Sequence, residues 1–230
     1  MRFFRLAVLA VAATLSIGAT KPAAPAPRGN WLAAVSVSPA GSHLLGNPAA
    51  AVKLVEYVSY TCPHCAHFQR DAEMPLQLAY VQPGKVQVEV RHLVRDAIDM
   101  TAALLTNCGT PSRFYINHSL IMRSQDTWMA RVNSASEAQR ARWNNGDTVA
   151  RMRAIAGDLG FYGLMAQRGY DRPTLDRCLA DPAMTKRLVA QTTQAQNDGV
   201  TGTPSFMLNG VLLAGTHDWQ SLSTQLQARF

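Results

Sequence analysis

Several things are scarce or missing in this 230-residue chain, and each absence excludes something. No internal repeat and no heptad stands out, which removes solenoid arrays and coiled coils. Charged residues make up only 16%, and no lysine–arginine block with interleaved aromatics occurs despite a net charge of +7. The basic residues are scattered, many of them arginines between positions 113 and 177. They read as a solvated surface rather than a nucleic-acid groove, and attraction to an anionic membrane surface is the remaining use for that charge. No apolar run spans a membrane: residues 6–17 are continuously apolar or small, but too few. Cysteines number four, and none is near the N-terminus, which argues against a lipoprotein anchor.

What is present begins with that N-terminal run. Arg2 and Arg5 precede it and an Ala/Pro stretch follows it, the pattern of an export signal. Residues 1–26 are therefore expected to be signal peptide and linker, and the mature protein to be exported. A hydrophobic fraction of 47% can fill a real core. Export puts the cysteines in an oxidising compartment, where disulfides persist. Four cysteines allow three pairings. Cys62 with Cys65 is the local one, which leaves Cys108 and Cys178 to pair; two separate buried thiols are the alternative. A bridge closing so long a loop contributes roughly 3–4 kcal/mol in the chain-entropy model.

Cys62-Pro63-His64-Cys65 carries the chemistry. Two thiols at this spacing can switch between dithiol and disulfide. The apolar run 52–58 precedes them and reads as a buried central strand. From Cys65, apolar positions Phe68, Ala72, Leu76 and Ala79 recur at helical spacing, so Cys62 falls at a helix N-terminus, where the backbone dipole favours thiolate. Pro75 is expected to kink this helix or end it early. Residues 31–37 have strand-like composition, and Val86, Val88 and Val90 alternate with polar residues as a strand does. From about residue 96 to 196 the β-branched runs vanish and turn-forming clusters divide a helical block. Residues 204–208, Asn209-Gly210 and 211–214 then read as a hairpin. A last helix from His217-Asp218 places Trp219, Leu222, Leu226 and Phe230 on one face.

Two distant elements now agree: Cys62-Pro63-His64-Cys65, and Val200-Thr201-Gly202-Thr203-Pro204-Ser205-Phe206 with Asn209-Gly210. Together they resemble the DsbA-like thiol–disulfide oxidoreductases of bacterial exported space, over about residues 41–230. The resemblance implies an α/β thioredoxin fold with an inserted all-helical domain. The fold would be built from residues 27–95 and 197–230 around an insertion at 96–196. It implies that Cys62 is an exposed nucleophile with a depressed pKa, and Cys65 a buried resolving thiol. His64 and Pro63 lie between them, and His64, when protonated, would favour the thiolate. Glu56, six positions before Cys62, matches a buried acid that accepts or relays the proton of the buried thiol. The family often has a lysine near it on the following strand, where Arg91 stands here; an arginine cannot release its proton. Pro204 matches a cis-proline opposite the redox pair, with Thr203 offering its backbone to an extended substrate. His43, His67, His118 and His217 receive no role.

The implied partners are reduced exported proteins and a membrane-embedded, quinone-linked reoxidising protein, with no nucleic acid, no bound cofactor and a monomeric, periplasmic enzyme. An isomerase or reductase using the same site is the nearest alternative. A non-catalytic metal-binding protein is the alternative of another class, since zinc sites also use Cys-x-x-Cys and His64 and His67 are spare ligands.

Overall fold

A computed structural model of the chain describes residues 29–230. The expected signal peptide and linker, 1–26, lie outside the described residues. The sheet is built from β1 (Val35–Val37), β2 (His43–Leu45), β3 (Val52–Val58), β4 (Val86–His92), β5 (Ser205–Leu208) and β6 (Val211–Leu212), in the order β1-β2-β4-β3-β5-β6. Only β3 and β4 run parallel, joined by a helical crossover; β2 pairs with β4 and β5 with β3 antiparallel. That crossover is α1 (Pro63–Leu76), continued by a π-helical turn, Gln77–Val81. The last helix, α10, is Trp219–Gln227.

Side chains alternate across β3, and the two faces find different partners. Val52 and Leu54 pack with Phe68, Ala72 and Leu76 of α1, with Phe206 and Leu208 of β5, and with Leu222 and Leu226 of α10. Val55 and Tyr57 point the other way, onto Ala195 and Val200. Ala195 belongs to α9 (Pro182–Asn197), so α9 covers the second face. This is the thioredoxin arrangement with added helices.

Between β4 and β5 the chain forms α2 (Ala97–Thr106), α3 (Phe114–Arg123), α4 (Gln125–Asn133), α5 (Glu137–Asn144), α6 (Thr148–Asp158), α7 (Phe161–Ala166), α8 (Arg172–Leu179) and α9. Aspartates open several of them: the side chains of Asp96, Asp147, Asp171 and Asp181 accept from first-turn N–H groups of α2, α6, α8 and α9. Their core includes Leu104, Phe114, Trp128, Ile155 and Phe161. It continues into Val58, Tyr60, Cys62 and Cys65, so one apolar cluster joins the insertion to the end of β3 that leads to Cys62. Cys108, just after α2, is bonded to Cys178 of α8 across a separation of 70 residues.

Some expectations need correcting. Only residues 35–37 of the 31–37 stretch are strand; Ala33 and Ala34 donate to the carbonyls of Asn30 and Trp31, which coils the start into a turn. The strand β2 has no expectation to match it. Pro75 does not end its helix, which runs on into a π turn where Gln82 N–H bonds the Gln77 carbonyl. Phe230 is not on the buried stripe of α10. It follows the helix end, 55% exposed, with Lys85 over its ring at 5.2 Å.

Candidate active site

Cys62 is the N-cap residue of α1, with Pro63 in the first turn. A proline there loses no hydrogen bond, because first-turn N–H groups have no intrahelical partner. The Cys62 N–H bonds the Ser59 carbonyl at 3.2 Å, and its Sγ donates to the Thr203 carbonyl at 3.0 Å. Both thiols of the pair are free. Contrary to expectation, Cys62 is buried, only 3% exposed. The Thr203 segment lies on it, and Gln125 of α4 donates to the carbonyls of Tyr60 and Cys62, at 2.6 and 2.8 Å.

Burial alone would raise a thiol pKa. Hydrogen bonding wins here, and the Cys62 pKa is lowered to about 5. The largest cause is the hydrogen bond from the Cys65 side chain; the Thr203 side chain, the Cys65 backbone N–H and the Arg95 charge also act to lower it. None of these leading contributions comes from His64, whose side chain is exposed. The same contact works in reverse on Cys65. Buried to 1% and donating to Cys62, Cys65 has its pKa raised well above the usual thiol value, chiefly by burial. Two chemically identical groups are thus driven apart by their surroundings.

Glu56 is on the α1 face of β3, 5% exposed. Among the described residues no group hydrogen-bonds it. It lines a cavity of about 40 Å3 together with Phe68, Gln69, Tyr115 and His118. Desolvation raises its pKa to about 8, so the carboxyl is mostly protonated near neutrality. Arg91 does not serve it. Registry pairs Glu56 with Val90 and Tyr57 with Arg91, which puts Arg91 on the opposite face. There its guanidinium donates to Glu89 at 2.8 Å and lies 3.6 Å from Asp198.

The Thr203–Pro204 peptide bond is cis, at the entry to β5. His217 Nδ1 is 2.8 Å from the Pro204 carbonyl. Thr203 Oγ1 is buried with no hydrogen bond of standard geometry, yet it stands close enough to the sulfurs to lower both thiol pKa values.

Sequence reasoning passed over several neighbours. Asp99 of α2 is 1% exposed and accepts from Ser59 Oγ (2.6 Å), Tyr60 N–H (2.7 Å) and Arg95 N–H (3.0 Å), gripping the loop before Cys62. Burial raises its pKa to about 6. The pattern Asp96-x-x-Asp99 marks a helix start, but nothing local says that the second acid turns inward. His43, His92 and His118 are all buried around Phe114, with ring centroids 4.0, 5.9 and 5.6 Å from it. His118 also reaches Tyr60 Oη at 2.9 Å and Gln69 Oε1 at 3.1 Å.

This geometry agrees with what the chain is similar to. The family model described as "Thioredoxin" matches residues 38–228. A crystal structure titled protein-disulfide isomerase, from Novosphingobium aromaticivorans, is 58% identical with a TM-score of 0.79, covering 82% of this chain and 97% of that one. The alpha-DsbA1 of Wolbachia pipientis is 21% identical with a TM-score of 0.63, over 84% of this chain and 92% of that one, a likeness of fold. A Rickettsia felis protein provisionally named a protein-disulfide oxidoreductase is 31% identical over 183 residues. The match takes in 79% of this chain but 57% of the relative's length. The chain belongs to the thioredoxin family.

Proposed function

We propose that the protein is a thiol–disulfide oxidoreductase that donates disulfides to exported, folding proteins through Cys62 and Cys65. The observation that carries this reading is the opposite displacement of the two thiol pKa values across one sulfur–sulfur contact. A thiolate stabilised at Cys62 is a good leaving group, so disulfides flow outward. In the oxidised enzyme a substrate thiolate attacks Cys62 Sγ and breaks the Cys62–Cys65 bond. Cys65 leaves as a thiolate and takes up a proton, which a mostly protonated Glu56 can supply. A second substrate thiolate attacks the substrate sulfur of the mixed disulfide, and Cys62 departs ionised. The substrate gains a disulfide and the enzyme is left as the dithiol.

In this scheme Thr203 and Pro204 receive an extended substrate segment. Pro63 and the exposed His64 form the surface it meets. No bound cofactor takes part, and a quinone-linked membrane protein restores the disulfide. The enzyme acts in the periplasm as a monomer. Equilibration with glutathione tests the reading. It expects a potential more oxidising than about −200 mV, and a value near that of thioredoxins, about −270 mV, would overturn it.

A second reading has an observation of its own: the 58% identical structure is titled an isomerase. Reactivation of a scrambled substrate faster than oxidation of a reduced one would favour it. Stoichiometric zinc on the reduced protein, with no exchange toward peptide thiols, would favour the metal-binding alternative.

A further inference from the structure

Arg95, between β4 and α2, is held in an unusual way. Its Nε donates to Ser59 Oγ at 2.9 Å and its Nη2 to Thr61 Oγ1 at 3.3 Å. Among the described residues no carboxylate lies within ion-pair distance of its guanidinium, although most arginine charges elsewhere in the chain that are held by side chains meet an acid, as at Arg91, Arg123 and Arg142. Both hydroxyls belong to the loop that ends in Cys62. The clamp is closed from behind by Asp99, whose Oδ2 accepts from both Ser59 Oγ and the Arg95 backbone N–H. The head group is thus fixed on the loop that ends in Cys62 while its charge stays unneutralised by direct contact, and that charge acts to lower the Cys62 pKa.

We propose that Arg95 is an electrostatic residue of the redox site: clamped to Ser59 and Thr61 and positioned by Asp99, it stabilises the Cys62 thiolate and so strengthens the enzyme as a disulfide donor. This rests on Cys62 being the nucleophile. The other ionisable groups around the loop are Asp96, which accepts from Thr61 Oγ1 at 3.1 Å and opposes the effect, Asp99, Cys65 and the exposed His64. Asp96 is engaged in capping α2, since its Oδ1 accepts from Asp99 N–H at 2.8 Å. A cation held on the neighbouring loop and exposed to water is worth about half a unit to one unit of thiol pKa.

The experiment compares wild type with Arg95→Met, which keeps the stem and loses the charge, and Arg95→Lys, which keeps the charge and loses the fork. Cys62 is titrated in the reduced proteins by thiolate ultraviolet absorbance at low and high salt, and each protein is equilibrated with glutathione. Arg95→Met is expected to raise the Cys62 pKa by about half a unit to one unit and to lower the oxidising equilibrium constant about three- to tenfold, or about 15–30 mV. The difference from wild type should shrink in high salt, which a purely structural role would not produce. Arg95→Lys should retain part of the depression. An unchanged pKa in a folded Arg95→Met protein would overturn the proposal, as would equal rises in both variants. If instead wild-type Cys62 ionises like free cysteine, the proposed function itself fails.

Discussion

At the scale of single residues, the site works by giving one donor to one acceptor. Cys65 can point its S–H at Cys62 only because Cys65 is buried at 1% and holds its proton. Thr203 adds to this through a buried hydroxyl that has no other partner. Thr203→Val keeps the shape and removes that oxygen, so the Cys62 pKa should rise by up to about one unit, read by thiolate absorbance; no rise would remove Thr203 from the account. Glu56 offers a second check. Its folded pKa, about 8, is above the unfolded 4.5, so its contribution is present below 4.5 and is lost as pH rises through 8. Glu56→Gln should therefore gain stability relative to wild type across that window, by about 2–4 kcal/mol at the alkaline end, measured by denaturant unfolding at several pH values. Cys62, Cys65 and the acid at Glu56 were legible because each is a chemically conspicuous residue at a telling spacing. Arg95, Asp99 and Gln125 were not, because their significance comes from a loop they meet only after folding. Arg91 misled for a related reason: spacing along β4 does not reveal which face of the sheet a residue takes until registry is known.

At the scale of elements, periodicity and caps carried the reading where apolar positions were regular. The strands β3 and β4, helix α1, and the hairpin of β5 and β6 follow directly from such patterns. The three-residue β2 escaped because His43-Leu44-Leu45 is too short to show a period, and it exists only because β4 offers an edge. The helical block was visible as a change of composition. Its internal breaks at Ser124, Ser134 and Gly160 were not, since they depend on packing more than on strong turn sequences. The element that matters most for the site is the N-terminus of α2, which brings Asp99 under the Ser59–Tyr60 backbone. Asp99→Ala removes three accepted hydrogen bonds and leaves the Tyr60 N–H buried without a partner. We expect a loss of about 3 kcal/mol in thermal or denaturant unfolding, with faster alkylation of the buried Cys62 as the loop loosens. A melting temperature within a degree of wild type would show that the clamp is not tight.

At the scale of the whole molecule, two features set stability. The Cys108–Cys178 bridge closes 70 residues of the insertion. Replacing both cysteines with alanine should cost about 4 kcal/mol, seen as a melting point lower by roughly 8–15 °C, if the chain-entropy account holds. The buried histidines set the acid limit. Burial lowers the pKa values of His43, His92 and His118 to about 4, 3 and 4, from an unfolded 6.5. The unfolded chain therefore takes up their protons first, and stability falls as pH drops below 6.5. Glu56 and Asp99, with raised values of about 8 and 6, act in the opposite sense and offset part of this. The oxidised protein, in which Cys62 does not titrate, should be most stable near pH 6 to 7. Below that it should lose about 1.4 kcal/mol per pH unit for each net proton taken up on unfolding. A flat profile from pH 7 to 4.5 would contradict the buried, neutral histidines.

Gln125 ties these scales together. One amide, rooted in a helix that the smaller thioredoxin core does not need, holds two carbonyls of the redox loop. The insertion is therefore a splint as well as a cover: with Asp99 gripping the same loop from α2, it braces the segment that carries Cys62, and Gln125→Ala would leave two carbonyls there without their side-chain brace.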